Sequence, residues 1–282
     1  MKFMKEINVQ KLKIGNDLPF TLIAGLNVLE SNQVIEEVVV KCIEVAKKFG
    51  IPFIFKASYD KANRSSINSY RGPGAEDGLK TLADLKSKYQ IPVLSDVHTI
   101  NEVELAKDIL DFIQIPAFLC RQTDLVEALA KTGLPVNIKK AQFMSPSDIE
   151  NVVKKFESFG NQNLVICERG TSFGYNNLVV DMLGITKLKL HNYPVIFDVT
   201  HSLQQPGGLG EKTGGRRENA LDLAKSGMAL GLAGLFLETH PDPDNALCDG
   251  PCALPLSALE DFIFQVKSVD DLVKSLPKIV IK

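Results

Sequence analysis

The chain has 282 residues, 45% of them hydrophobic and 23% charged, with a formal net charge of −2, the balance of an ordinary globular protein. A charge so near neutral excludes a general nucleic-acid binder, which needs a basic face, so any cationic site must be local. The longest apolar stretch, 228–237, is too short to span a bilayer, and five cysteines in a chain this long make no disulfide framework.

The opening MKFMKEINVQ lacks the apolar core of a secretory signal, which gives the expectation of a cytoplasmic protein with reduced thiols and no membrane partner. Residues 1–15 read as a short hairpin cap, with Val9, Leu12 and Ile14 on a lysine-flanked run. An apolar strand over 19–27 then ends in Gly25-Leu26-Asn27, and a helical pattern over 30–49 is stopped by Gly50.

The same strand-helix unit recurs along the chain. Strands are predicted at 52–56, 92–96, 112–115, 135–139, 164–168, 194–198 and 234–238. Helices are predicted at about 75–89, 100–110, 122–132, 146–159, 178–186, 217–230 and 256–274. Several strands open on proline, which suits a first strand residue. Their apolar runs are continuous, as in strands covered by helices. Eight such units predict one α/β domain over 1–282, a (β/α)₈ TIM barrel. The alternative, an open doubly wound sheet, lacks its dinucleotide fingerprint, since no G-x-G-x-x-G follows the first strand. No Gly-x-Ser-x-Gly elbow occurs either.

In a barrel the carboxyl ends of the strands carry the chemistry. Here they deliver Asn27, Lys56, Asp96 with His98, Gln114, Lys139 with Lys140, Glu168 with Arg169, Asp198 with His201, and Glu238 with His240. Beyond Lys56 the chain turns into a cationic, hydroxyl-rich segment, Ser58 to Ser66, containing Lys61 and Arg64. Lys56, Lys61, Arg64, Lys139 and Arg169 would converge on one mouth, and converging like charges destabilise a fold unless an anion is bound. The expectation is a ligand with at least two anionic groups, although solvated strand ends are polar in any protein. His201, Glu238 and Asp249 form a set that could hold a divalent metal. Cys248 and Cys252 lack the second ligand pair of a structural zinc site. The glycine-rich stretch 204–217 reads as a mobile lid or subunit contact, or as a plain flexible loop.

Several stretches are specific when taken together. They are Lys56-Ala-Ser-Tyr-Asp-Lys-Ala-Asn-Arg-Ser-Ser, Ile115-Pro-Ala-Phe-Leu-Cys-Arg-Gln-Thr-Asp-Leu and Asn137-Ile-Lys-Lys-Ala-Gln-Phe, followed by Glu168-Arg-Gly-Thr-Ser-Phe-Gly-Tyr, Phe197-Asp-Val-Thr-His-Ser-Leu-Gln and Glu238-Thr-His-Pro-Asp-Pro. Over about 5–275 the sequence resembles the 3-deoxy-D-manno-octulosonate 8-phosphate (KDO 8-phosphate) synthases. The resemblance implies a (β/α)₈ barrel, a cytoplasmic homotetramer, and condensation of phosphoenolpyruvate with arabinose 5-phosphate for the Kdo sugar of lipopolysaccharide.

It also implies roles. Lys139 and Arg169 would hold the phosphoenolpyruvate phosphate, with Lys56, Lys61 and Ser58 about its carboxylate and the reaction centre. Asn63, Arg64 and Ser65 would take the arabinose phosphate, the last two across a subunit boundary. Asp96, Gln114 and His201 would line the space between. The resemblance further points to the metal-independent branch, because Asn27 stands where the metal branch has a cysteine. His201, Glu238 and Asp249 would then be a triad without its thiolate, and neither cofactor nor metal is expected. Water activation is left to His201, Asp249 or the substrate phosphate. Two alternatives stay open at this point: a synthase acting on erythrose 4-phosphate, and a barrel that only binds phosphosugars.

Overall fold

The computed structural model describes residues 4–209 and 212–279. Residues 1–3 of the expected cap and 210–211 of the glycine-rich stretch lie outside the described residues. A hairpin of β1 (Ile7–Val9) and β2 (Leu12–Ile14) comes first, as expected. Eight parallel strands form the barrel, and the first seven are β3 (Thr21–Val28), β4 (Phe53–Ser58), β5 (Val93–Asp96), β6 (Phe112–Ile115), β7 (Val136–Lys139), β8 (Leu164–Glu168), and, after the short ladder of β9 (Thr171–Ser172) and β10 (Leu178–Val179), β11 (Val195–Asp198). The hairpin β12 (Gln204–Leu209) and β13 (Lys212–Gly215) precedes the last barrel strand, β14 (Gly234–His240), and a two-residue strand β15 (Leu254–Pro255) pairs with the end of β14. Pairing of β14 with both β3 and β11 closes the sheet into the (β/α)₈ barrel. The prolines at 52, 92, 135 and 194 sit one residue before their strands, where a missing N–H costs no ladder bond.

The helices are α1 (Asn32–Phe49), α2 (Ala75–Tyr89), α3 (Ile100–Ala106), α4 (Thr123–Lys131), α5 (Ile149–Ser158), α6 (Met182–Lys189), α7 (Val199–Ser202), α8 (Ala220–Met228) and α9 (Leu259–Ser275). Helix α1 shows how local chemistry sets the bounds. Ser31 Oγ accepts from the Val34 N–H at 3.4 Å, and Gly50 ends the helix at φ 61°. No helix among the described residues is long and apolar enough to cross a membrane.

Several boundaries differ from expectation. The helix expected from 178 begins at Met182, because Leu178 and Val179 pair with Ser172 and Thr171 as strands. The helix expected from 146 begins at Ile149, after a turn in which Ser145 N donates to Asp148 Oδ2 at 3.0 Å and Asp148 N to Ser145 Oγ at 3.3 Å. Within the stretch 204–217, Gln204–Leu209 and Lys212–Gly215 pair as antiparallel strands rather than forming a structureless loop.

Two layers of core follow from the alternation of side chains along each strand. Outward residues such as Leu22, Ala24, Phe53, Phe55, Val136 and Ile138 pack under the helices. Inward residues Ile23, Ile54, Leu94, Phe112, Val165, Cys167, Ile196 and Phe236 fill the barrel, and Val9 and Ile14 of the hairpin join that same cluster, so the hairpin plugs the amino end of the barrel. Above Phe236 the inward positions become polar: Asn27, Lys56, Asp96, Gln114, Lys139, Asp198 and Glu238 are all buried at the carboxyl end.

Candidate active site

Alternation along the strands decides which strand-end groups reach the mouth. Lys139 shares the inward parity of Asn137, and its ammonium sits 3.3 Å from the ring centroid of Phe236. Lys140 faces outward, fully buried, 3.5 Å from Glu168. Its ammonium also donates to the carbonyls of Ala141 and Met144 at 3.3 and 3.2 Å. Glu168 Oε1 accepts from the N–H groups of Arg169 and Gly170 at 3.0 and 2.7 Å. Gly170 at φ 89° turns the chain there. The pair of Lys140 and Glu168 is therefore scaffold behind the wall, and it aims Arg169 inward.

The mouth is not a plain cluster of like charges, which corrects the expectation above. Lys56 Nζ lies 2.8 Å from Glu238 Oε1 and donates to the Asn27 carbonyl at 3.1 Å. Lys139 pairs with Asp198, whose second neighbour is His201, with Nδ1 at 2.8 Å but not aligned as a hydrogen bond. Burial works against the Asp198 and Glu238 charges. His201 and Lys139 more than reverse this and hold the Asp198 carboxyl far below its usual range. His201, Lys56 and Lys61 bring Glu238 down to about 2. The floor beneath is Phe236, 5.5 Å from Lys56 Nζ and 5.8 Å, centroid to centroid, from the His201 ring.

Two cations that line the cavity described next, Lys61 and Arg169, have no carboxylate in ion-pair contact among the described residues. Both are buried, 9% and 5% exposed. Burial disfavours the Lys61 charge, but the field of Glu238 and Asp96 overrides it and raises its basicity. Burial lowers the basicity of Arg169 despite Asp198 and Asp249. Arg169 Nη2 donates to Gln204 Oε1 at 2.6 Å, while Nη1 is buried with no partner among the described residues. An unpartnered guanidinium N–H at this depth is costly unless a ligand meets it. Lys61, Lys139, Arg169, Asp198, His201, Asp96, Gln114 and Asn63 line one cavity of about 230 Å³, with Phe118 and His98 on its wall. Ser58 lies behind Asp96 and donates to its carboxylate.

A second cavity, of about 530 Å³, opens beside the first between the segment 64–70 and the turn 244–251. Arg64 lines this one, its guanidinium against Cys248 Sγ, and so is parted from Asn63. Ser65 is exposed and reaches neither cavity.

Ligand atoms of His201, Glu238 and Asp249 lie within 4.8 Å of one another. Asn27 fills the fourth side, placed by a bulge that sets Gly25 opposite Lys56 but Val28 opposite Ser58. A Cβ at Gly25 would strike the Lys56 carbonyl, so glycine permits this approach. The Asn27 amide nitrogen donates to both Glu238 and Asp249, the latter at 3.1 Å. Gln204 Nε2 also donates to Asp249 Oδ2, at 2.7 Å. An N–H thus points at the carboxylates where a cation would sit, and Glu238 is already paired with Lys56. With an amide N–H on the fourth side, the set offers three metal-ligating groups rather than four. Asp249 itself stands in the left-handed region, at φ 48°.

Residues 4–275 match the family model described as the DAHP synthetase I family. The chain belongs to this family. Among curated relatives, the protein named 2-dehydro-3-deoxyphosphooctonate aldolase of Shewanella piezotolerans is 56% identical over 275 residues, covering 98% of each chain. The protein of the same name in Shewanella amazonensis is 57% identical over 274 residues, covering 97% of each. In this member of the DAHP synthetase I family, the sequence offers Asp198 only as one strand end among several and does not single out Gln204 as a bridge between Arg169 and Asp249. Asp198 was findable from the inward parity it shares with Ile196. Gln204 carried no signal, because it opens a glycine-rich hairpin.

Proposed function

We propose that this protein condenses phosphoenolpyruvate with arabinose 5-phosphate and water, giving 3-deoxy-D-manno-octulosonate 8-phosphate and phosphate for Kdo synthesis, a reading in line with the name 2-dehydro-3-deoxyphosphooctonate aldolase that its relatives carry. The observation that carries the reading is the pair of buried cations, Lys61 and Arg169, without carboxylate partners at one cavity.

Arg169 and Lys139 bind the phosphate of phosphoenolpyruvate, Arg169 through its free N–H. Lys61 and Lys56 face its carboxylate and reaction centre. The aldehyde of the sugar meets Asn63, Asp96 and Gln114, and Arg64 and Ser65 of a neighbouring subunit close on its phosphate. The C3 carbon of phosphoenolpyruvate attacks the aldehyde carbon and water adds at C2, so the aldehyde oxygen gains a proton. The tetrahedral C2 then loses phosphate by cleavage of its C–O bond. Holding two anions in contact is the larger part of the task, and Lys61, Lys139 and Arg169 offset their repulsion. Asn27, bonded to both carboxylates, keeps Glu238 and Asp249 together without a metal, so the reaction runs metal-free. The chain works as a single barrel domain and assembles as a cytoplasmic homotetramer.

The test is phosphate release from phosphoenolpyruvate with arabinose 5-phosphate, with erythrose 4-phosphate, or with no sugar. Release only with the first is the expected result. Equal turnover with erythrose 4-phosphate overturns the assignment.

A further inference from the structure

Behind the sugar side of the cavity lies a chain of polar groups that the proposed chemistry does not use. His98 lines the cavity; Glu102 and Tyr59 do not. The His98 ring stands between two carboxylates, with Nε2 3.2 Å from Asp96 Oδ2 and Nδ1 3.0 Å from Glu102 Oε2. That same Glu102 oxygen accepts the His98 backbone N–H at 3.0 Å and the Tyr59 hydroxyl at 2.7 Å. Tyr59 is fully buried and meets the His98 ring edge-on, with centroids 6.2 Å apart and planes at 89°.

Glu102 is also the third residue after Thr99, the N-cap of α3, whose Oγ1 accepts from the Glu102 N–H at 3.3 Å. In an ordinary capping box this carboxylate would return to the N-cap N–H. Here Oε2 instead reaches the N–H and the ring of His98, one residue earlier. Capping alone does not call for that reach, nor for the buried hydroxyl of Tyr59.

The consequence falls on Asp96. Its Oδ1 takes the Ser58 hydroxyl and its Oδ2 faces His98. Each oxygen keeps a lone pair for a ligand in the cavity. We infer that Glu102, braced by Tyr59, is a positioning residue: through His98 it fixes the Asp96 carboxylate in the orientation that receives a hydroxyl of the sugar phosphate. The inference rests on the proposed function in that one respect, the identity of what Asp96 meets.

Electrostatics agree with the geometry. Burial opposes a charge on His98, but Asp96 and Glu102 override it and bring the ring up to about 10. The groups facing this network are Asp96 from β5, Glu102 from α3, Tyr59 from the end of β4, and Lys56 and Lys61 beside Asp96. With both nitrogens protonated, the ring cannot flip its hydrogen-bonding sense and release Asp96.

Glu102→Gln keeps a residue that completes a capping box, so α3 still starts at the same place, but it removes the charge that holds the imidazolium. Two measurements on the intact protein test the inference. In steady-state kinetics, Glu102→Gln should raise the KM for arabinose 5-phosphate roughly tenfold, the loss of one charge-assisted bond, and leave the KM for phosphoenolpyruvate unchanged. Tyr59→Phe should act in the same direction and less strongly, and it carries the test should Glu102→Gln fold poorly. In nitrogen-15 spectra at pH 8.5, the His98 ring should be doubly protonated in the wild type and neutral in Glu102→Gln. An unchanged sugar KM, an equal rise in both KM values, or a doubly protonated His98 in the variant overturns the inference. A wild type that releases no phosphate removes the functional reading, and the spectra then decide the His98–Glu102 link by themselves.

Discussion

Asn27 reaches across the barrel mouth to Asp249, its amide nitrogen 3.1 Å from carboxylate Oδ2. One N–H group thereby joins Asp249 and Glu238, the two carboxylates that would flank a cation beside His201. Activity should be unchanged by EDTA. Asn27→Cys replaces the N–H with a thiolate and completes a four-ligand set, so the variant should retain about one zinc per chain through gel filtration. Elemental analysis and turnover with and without chelator check both statements. Loss of wild-type activity in EDTA, restored by zinc or manganese, would place the chain in the metal-using branch.

Arg169 carries the next expectation. Its Nη1 has no partner among the described residues, and its Nη2 is tied to Gln204. Arg169→Ala should cost about 2–5 kcal/mol of phosphoenolpyruvate binding or transition-state stabilisation, as removal of a buried charged donor does. Calorimetry with phosphoenolpyruvate, alongside turnover, measures this. Unchanged affinity together with unchanged turnover removes Arg169 from the site.

Much of this architecture was legible because barrel strands repeat one simple signal. Apolar runs opened by prolines 52, 92, 135 and 194 located strands to within a residue or two. Which strand-end groups face inward was written in the two-residue period, as the split of Lys139 from Lys140 shows. The pairing across the mouth was not legible. Lys56 with Glu238 and Lys139 with Asp198 join strands that the sequence alone does not place at bonding distance. The hairpin of β12 and β13 was hidden because glycine and proline give its strands no side-chain pattern. Val179 belonged to a strand although its run continued into helical spacing, since its pairing with Thr171 is a tertiary fact.

Behind the wall, Lys140 and Glu168 make a prediction about stability. Both are buried, and burial raises the Glu168 carboxyl despite Lys140 and two backbone N–H groups. Removing one partner strands the other charge. Lys140→Met should therefore destabilise the fold by about 3–5 kcal/mol, read as a lower denaturant midpoint. A double change, Lys140→Met with Glu168→Gln, should recover part of that loss. If the single variant unfolds at the wild-type midpoint, the pair is not structural.

Stability should fall at both ends of the pH scale, for opposite reasons. Glu238 and Glu102 are each held down to about 2, below the ordinary 4.5. Their contribution is present above 4.5 and is lost as pH falls toward 2. His98 is raised from 6.5 to about 10. Its contribution is complete below 6.5 and is lost as pH rises through 10. Thermal melts across the pH range should show His98→Gln flattening the alkaline limb and weakening, without abolishing, the acid limb, because His98 helps hold Glu102 down whereas Glu238 is held by His201, Lys56 and Lys61. A variant with the wild-type alkaline limb would remove His98 as its cause.

The segment after Lys61 carries the last prediction. Within one chain Asn63 lines the small cavity, while Arg64 turns to Cys248 in the larger one and Ser65 is exposed. A lone chain thus brings Lys61, Lys139 and Arg169 to one cavity but leaves Arg64 turned away from it. If Arg64 completes a neighbour's site, Arg64→Ala and Lys139→Ala damage different halves of a shared catalytic unit. Each variant alone should be inactive, because every site then lacks one of the two groups. Mixed in equal amounts under subunit exchange, about a quarter of the sites should pair an intact Lys139 with a neighbour's intact Arg64. Activity should return to a corresponding fraction of the wild-type rate. Were Arg64 to act within its own chain, every site in the mixture would still lack one group and no activity would return. Size-exclusion chromatography with light scattering runs alongside, and a fully active monomer would end the idea of a shared site.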